Sequence, residues 1–213
     1  MLIDISRTIK PAIAVWPGDT RFAMATILAK RAGASVNLTT LTLSAHTGTH
    51  VDAPFHFDDH GATLEVLDLS HYWGSAQVVT VNRAAGELVP ADFAHVDLTR
   101  APRLLVRSPM SAGDPALFPK AIVYPSPALA DYLGCCGIVL YGADAPSMDA
   151  IDSRELPGHH ALQRNGIAIL EGLDLSHAPD GLYELAALPL KIEGGDGSPV
   201  RAVLRTLEGN VTP

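Results

Sequence analysis

Between positions 46 and 56 the chain gathers three histidines and an aspartate in the run His46-Thr47-Gly48-Thr49-His50-Val51-Asp52-Ala53-Pro54-Phe55-His56. All four fall on even positions, so an extended backbone would project them from one face. The odd positions between them carry no ionisable group. Imidazoles and a carboxylate without thiolates form a donor set suited to Zn(II), Mn(II) or Fe(II). A helix is disfavoured, because Gly48, Pro54 and the β-branched residues all oppose it. A straight strand also fails, since His46 and His50 would stand about 13 Å apart at roughly 3.3 Å per residue. Gly48 can bend the backbone and bring them to one ion. The stretch is therefore expected as a strand running into a kinked loop of ligands. Isolated histidines such as His71, His95 and His177 show no comparable pattern.

A catalytic zinc keeps one position open for water, and a two-metal site needs a bridging carboxylate. Asp52 is the local bridge. Further ligands must come from elsewhere, and the segment from His159 to Glu171 can supply them. Residues 158–164 suit a short helix ending at Asn165-Gly166. Residues 167–170 then form a strand that runs into Glu171. Ile167, Ile169 and Glu171 share one face of it, so a carboxylate ends an apolar row. A buried carboxylate needs a partner that offsets its desolvation, and a metal is one.

Other elements must hold these two segments together. Strand composition marks residues 2–6, 22–28, 36–43, 75–82, 103–107, 182–190 and 200–206, with 137–142 the most continuous buried-strand signal. The loop 144–149 follows that strand, where a sheet's carboxyl edge offers functional positions. Short helices are expected over 90–96 and 127–133, the second capped by Ser126, started by Pro127 and closed by Gly134. Residues 64–69 suit a short helical turn, and 193–199 are turn-rich. Trp16 precedes the turn Pro17-Gly18-Asp19 and, on that feature alone, is a packing anchor. Many strands with few short helices give a mixed α/β or α+β domain. No Gly-x-Gly-x-x-Gly follows a strand, which excludes a doubly wound nucleotide-binding fold.

The 213 residues fit a single domain spanning 1–213. At 47% hydrophobic and 18% charged residues the composition is globular, not disordered. A net charge of −8 without a basic patch argues against a nucleic-acid partner. No secretory pattern and no apolar run of membrane-span length is present, so a cytoplasmic protein with no membrane partner is expected. Adjacent Cys135 and Cys136 offer no disulfide framework and are expected as two buried small hydrophobes. The sequons at Asn37 and Asn210 carry little weight without an export signal.

The pattern His46-x-Gly48-Thr49-His50-x-Asp52-x-Pro54-x-His56 resembles the signature of the cyclase-like metal-dependent hydrolases. Within that family the chain is similar to the bacterial arylformamidases, the kynurenine formamidase group. The likeness also covers Asp4-Ile5-Ser6, Trp16-Pro17-Gly18-Asp19 and Ile169-Leu170-Glu171-Gly172-Leu173. It implies a mixed α/β domain of the swivelling β/β/α type, with a mixed central sheet, few short helices and a homodimeric state. It further implies two Zn(II) per subunit, with Mn(II) as the alternative. His46, His50 and Asp52 would hold the first metal, Asp52 would also reach the second, and Glu171 would bridge both. The histidine twelve residues before Glu171, His159, would complete the second site, with His160 one register step away. His56 would be the catalytic acid/base. Trp16 would line the substrate pocket, which reverses its reading as a packing anchor. The implied reaction converts N-formyl-L-kynurenine to L-kynurenine and formate. Competing readings are a related amide or lactam hydrolase, such as an isatin hydrolase, and a non-catalytic metal-binding protein. The last gives His56 no purpose, and a structural zinc site would favour thiolates and fill every position.

Overall fold

A computed structural model describes residues 1–207 of the chain. The sequon at Asn210 lies outside the described residues. In chain order the strands are β1 (Leu2–Asp4), β2 (Ala23–Leu28), β3 (Leu38–Thr42), β4 (His50–Asp52), β5 (Trp73–Thr80), β6 (Gly86–Leu88), β7 (Arg103–Arg107), β8 (Val123–Pro125), β9 (Leu140–Ala143), β10 (Ala168–Glu171), β11 (Gly181–Ala186), β12 (Gly197–Pro199) and β13 (Val203–Thr206). Two short α-helices, α1 (Pro127–Cys135) and α2 (Pro157–Arg164), sit among them, with several single 3-10 turns.

Nine strands form one mixed sheet in the order β1-β13-β11-β5-β7-β9-β10-β4-β12. Its centre, β5-β7-β9-β10, is parallel, and both flanks are antiparallel. Central parallel strands are covered on both faces, so their apolar residues serve two layers. In β7, Leu104 and Val106 join a core with Leu129, Leu133 and Leu162 of α1 and α2. Leu105, between them, joins Val51, Leu170 and Leu204 on the other side. The fold is thus the expected mixed α/β architecture with few, short helices.

Ser126 caps α1 by accepting the Leu129 N–H at 3.1 Å, with Pro127 in the first turn, as its sequence position requires. The helix does not stop at Gly134 but continues through it to Cys135. That glycine serves packing between the helices, because a Cβ there would meet Asn165 Oδ1 at 2.7 Å. Cys135 is exposed and Cys136 half-buried, so the pair is not the buried one expected from composition. Residues 22–28 and 36–43 contain β2 and β3, which pair only with each other and are exposed throughout. They form an arm outside the main core. The turn-rich 193–199 segment ends in β12, an edge strand against β4. The strand expected over 182–190 stops at Ala186.

Candidate active site

Strand pairing carries the two segments of chemical interest together. β4 and β10 are antiparallel neighbours in which His50 pairs with Glu171 and Asp52 with Ile169. Directly paired residues point to one face, while Val51 and Leu170 point to the other, into the core. Ile169 faces the helix layer, so His50, Asp52 and Glu171 face it too, and α2 covers them. The bend comes before β4 rather than after it. Gly48 adopts φ +72°, and Gly172 lies so close that a Cβ there would meet the Gly48 carbonyl at 2.2 Å.

Asp52 and Glu171 are each 3% exposed. His50 places Nε2 3.4 Å from Asp52 Oδ1 and 3.4 Å from Glu171 Oε2. Its Nδ1 lies 3.0 Å from the Gly48 carbonyl, an acceptor only, so Nδ1 carries a proton and neutral His50 presents Nε2 as the lone pair. His159 of α2 places Nε2 3.6 Å from Asp52 Oδ2 and 3.5 Å from Glu171 Oε1. Its Nδ1 is held 2.6 Å from Asp149 Oδ2, and Asp149 also accepts the Gly158 and His159 N–H groups. Asp149 thereby fixes both the ring and the start of the helix. Leu156, which enters α2, is strained at φ 44°. His160 is exposed and rests edge-on against Phe57 at 5.4 Å, away from the carboxylates.

His46 Nδ1 lies 2.9 Å from Asp52 Oδ1, and its Nε2 lies 3.1 Å from Asp196 Oδ2. The His46 and His50 rings are 5.0 Å apart, the approach that a straight strand forbids. His56 closes a 3-10 turn and sets its ring 3.9 Å from that of His46, with Nδ1 3.6 Å from Asp196 Oδ2. The histidines and carboxylates open onto a cavity of about 750 Å³, the size of a small-molecule site. Trp16 lines it and meets Phe118 edge-on at 5.2 Å. Its turn is closed by Asp19 N–H donating to the Trp16 carbonyl at 2.9 Å.

Sequence reasoning missed Asp149 as a partner of His159, although it marked the loop 144–149. It also left Asp196 and Phe118 without a role. Nothing in local spacing marks them.

These donors fit a metal on two grounds. Asp52 Oδ2 and Glu171 Oε1 are buried with no hydrogen-bond partner, a costly state that a cation relieves. Two overlapping donor groups, His46-Asp52-His56 and His50-Asp52-Glu171, each keep their ligand atoms within 4.8 Å of one another. Electrostatics agree. Burial opposes a charge on His50, but hydrogen bonds to Asp52 and Glu171 outweigh it and raise its pKa to about 10. Burial opposes ionised Asp52 as well, yet the facing imidazoles hold its pKa well below the usual range. Both shifts show a site whose carboxylates favour positive charge beside them.

A metal takes only neutral imidazole, so it must displace the proton that His50 retains up to about pH 10. Metal binding at pH 7 is expected to release at least one proton per chain and to strengthen as pH rises. Titration calorimetry in buffers of differing ionisation enthalpy counts those protons, and a count of zero would remove His50 from the ligand set.

A mixed α/β sheet with a buried carboxylate-imidazole cluster opening on an apolar-walled cavity defines the class: a metal-dependent hydrolase. The model of the putative cyclase family matches residues 3–150, and the chain belongs to that family. It is 47% identical over 205 residues to the kynurenine formamidase of Salinibacter ruber, covering 96% of this chain and 97% of that one. A solved structure described as a potential metal-dependent hydrolase with cyclase activity superposes with a TM-score of 0.83 at 27% identity, covering 96% of both chains. Isatin hydrolase A from Labrenzia aggregata superposes with a TM-score of 0.80 at 25% identity, covering 96% of this chain and 93% of that one.

Proposed function

We propose that this chain is an arylformamidase that hydrolyses N-formyl-L-kynurenine to L-kynurenine and formate. The observation that carries the reading is the pair of orphaned buried oxygens, Asp52 Oδ2 and Glu171 Oε1, faced by imidazoles at a cavity that Trp16 lines. The 47% identity to a kynurenine formamidase over nearly the whole chain supports the substrate. In this reading two Zn(II) ions per subunit are held, with Mn(II) as the alternative occupant. His46, His50 and Asp52 serve the first site, and His159 serves the second. Asp52 and Glu171 would serve both. When bound, the metals supply Lewis acidity toward the formyl oxygen and lower the pKa of water to near neutrality.

The protein's own groups do the rest. Trp16 and Phe118 take the aryl ring and orient the formamide. An aryl amide nitrogen leaves poorly unless it is protonated, so a general acid is required. Burial, the largest influence on His56, lowers its pKa below the ordinary value. The ring is therefore neutral at pH 7, able to take a proton and return it to the departing nitrogen. Asp196 accepts from His46 and stands beside His56, steadying both rings.

The deciding experiment measures metal content per chain together with turnover of N-formyl-L-kynurenine and isatin under defined Zn(II) or Mn(II). Isatin turnover exceeding formanilide turnover would favour the second reading, for which the isatin hydrolase superposition speaks. Full metal loading with no hydrolysis of either would favour a binding protein. Replacing His159 and His160 separately by Ala should give one variant depleted in metal and one nearly normal. His159→Ala is the depleted one, because His160 is exposed and off the cluster.

We read residues 1–213 as one domain, supported by the pairing of β1 with β13 at opposite ends of the chain. We also read it as a cytoplasmic homodimer without nucleic-acid or membrane partners. The exposed arm, with Met24 62%, Ile27 57% and Leu41 56% accessible, supplies apolar surface for a second copy. Sedimentation at the mass of a single chain would overturn the dimer. No helix among the described residues is long and apolar enough to cross a membrane.

A further inference from the structure

Arg7 is the only Lys or Arg side chain lining the active-site cavity among the described residues. Among the described residues, main-chain oxygens alone anchor its guanidinium. Nε donates to the Gly172 carbonyl at 3.1 Å, and Nη2 donates to the Asp144 carbonyl at 3.2 Å. Its backbone N–H donates to Thr49 Oγ1 at 2.9 Å, and the Thr49 hydroxyl donates to the same Gly172 carbonyl at 2.7 Å. Thr49 precedes His50 and Gly172 follows Glu171, so Arg7 is tied to one ligand-bearing strand through its backbone N–H and to the other through its guanidinium.

Among the described residues Nη1 has no partner, and no carboxylate lies within ion-pair distance of the guanidinium. Yet Arg7 is half-buried, and a partly desolvated guanidinium is normally matched by an anion. The chain has acid to spare, with a net charge of −8 and Asp19, Asp114 and Asp196 on the same cavity. None of them pairs with Arg7. Neutral carbonyls hold the donor fork in place without neutralising it, which leaves it ready for an anionic ligand group.

We propose that Arg7 is the carboxylate-reading residue of this pocket and binds the α-carboxylate of an amino-acid formanilide. The assignment rests on the formamidase reading above. A guanidinium presents parallel donors that match a carboxylate in both charge and geometry. Fixing one end of the substrate at Arg7 and its ring at Trp16 positions the formamide at the metal centre. Formate, the released product, is the other carboxylate that Arg7 can meet.

The test uses the zinc-loaded enzyme and compares kcat/KM for N-formyl-L-kynurenine with that for its methyl ester, which keeps the shape and removes the charge. The acid is expected to be preferred by on the order of 10- to 100-fold, the worth of a charge-assisted hydrogen bond. In Arg7→Gln the acid-to-ester ratio should fall to near one, and Arg7→Lys should restore part of it. A general loss of fold lowers both substrates together and does not move the ratio. Three results would overturn the proposal: an ester as good as the acid in the unaltered enzyme, an equal loss for both in an Arg7→Gln variant that melts at the temperature of the unaltered enzyme, or an Arg7→Gln variant that keeps the acid preference and loses only inhibition by sodium formate. The first remains decisive even if Arg7→Gln fails to fold. If the unaltered enzyme hydrolyses neither compound, the formamidase reading fails and the assignment falls with it.

Discussion

Asp52→Ala is expected to abolish stoichiometric metal binding and to lower kcat/KM by more than about 10³-fold, equivalent to roughly 4 kcal/mol of transition-state stabilisation. Among the described residues Asp52 is the one carboxylate that faces three imidazoles, with His46 at 2.9 Å, His50 at 3.4 Å and His159 at 3.6 Å. No neighbour can replace it, because Glu171 reaches only His50 and His159. Removing it also strips His46 and His50 of the carboxylate that does most to raise their pKa values. Breaking a buried pair by deleting one partner costs about 3–5 kcal/mol, so lost activity alone would be ambiguous. Asp52→Asn keeps the volume and separates the two effects. It should melt nearer to the unaltered protein while still failing to hold metal. Metal analysis by mass spectrometry, alongside thermal melting of both variants, is the check. Full occupancy in Asp52→Ala would refute a bridging role.

The even-numbered spacing from His46 to His56 was legible because alternation along a chain is a local property. It placed His50 and Asp52 on one strand face, where β4 has them. Gly48 was legible as the bend, since few other residues tolerate φ +72°. Spacing alone does not choose between His159 and His160. One step along α2 rotates a side chain by about 100°, and only the docking of that helix decides which histidine meets Glu171. Asp149 escaped notice for a related reason. Its partner lies ten residues away across a loop and a helix start, and an acceptor of one imidazole and two N–H groups has no sequence signature. β12 was hidden because its residues are turn formers, and edge pairing with β4 overrode that preference. The Cys135-Cys136 pair misled because composition alone cannot tell a helix's outer face from its inner one.

His56→Ala is expected to keep the metal content of the unaltered enzyme while kcat falls by about 10²–10⁴-fold, the usual worth of a positioned general acid/base. Geometry separates His56 from the other histidines. Its side chain is 36% exposed, whereas those of His50 and His159 are 4% exposed. It makes no hydrogen bond to Asp52 or Glu171, and its nearest carboxylate is Asp196 at 3.6 Å. The short turn Pro54–His56 fixes its backbone. Leaving-group dependence gives a second readout. Protonation matters most for a basic departing amine, so the penalty in His56→Ala should shrink as electron-withdrawing groups are added to the ring. The pH profile gives a third. Burial lowers the His56 pKa below its ordinary value, and activity should fall as pH drops through that lowered pKa. That acidic limb should vanish in His56→Ala. The competing role is specific, because His46, Asp52 and His56 present ligand atoms within 4.8 Å of one another. Were His56 a ligand, its removal would deplete metal in step with activity, and the leaving group would make no difference.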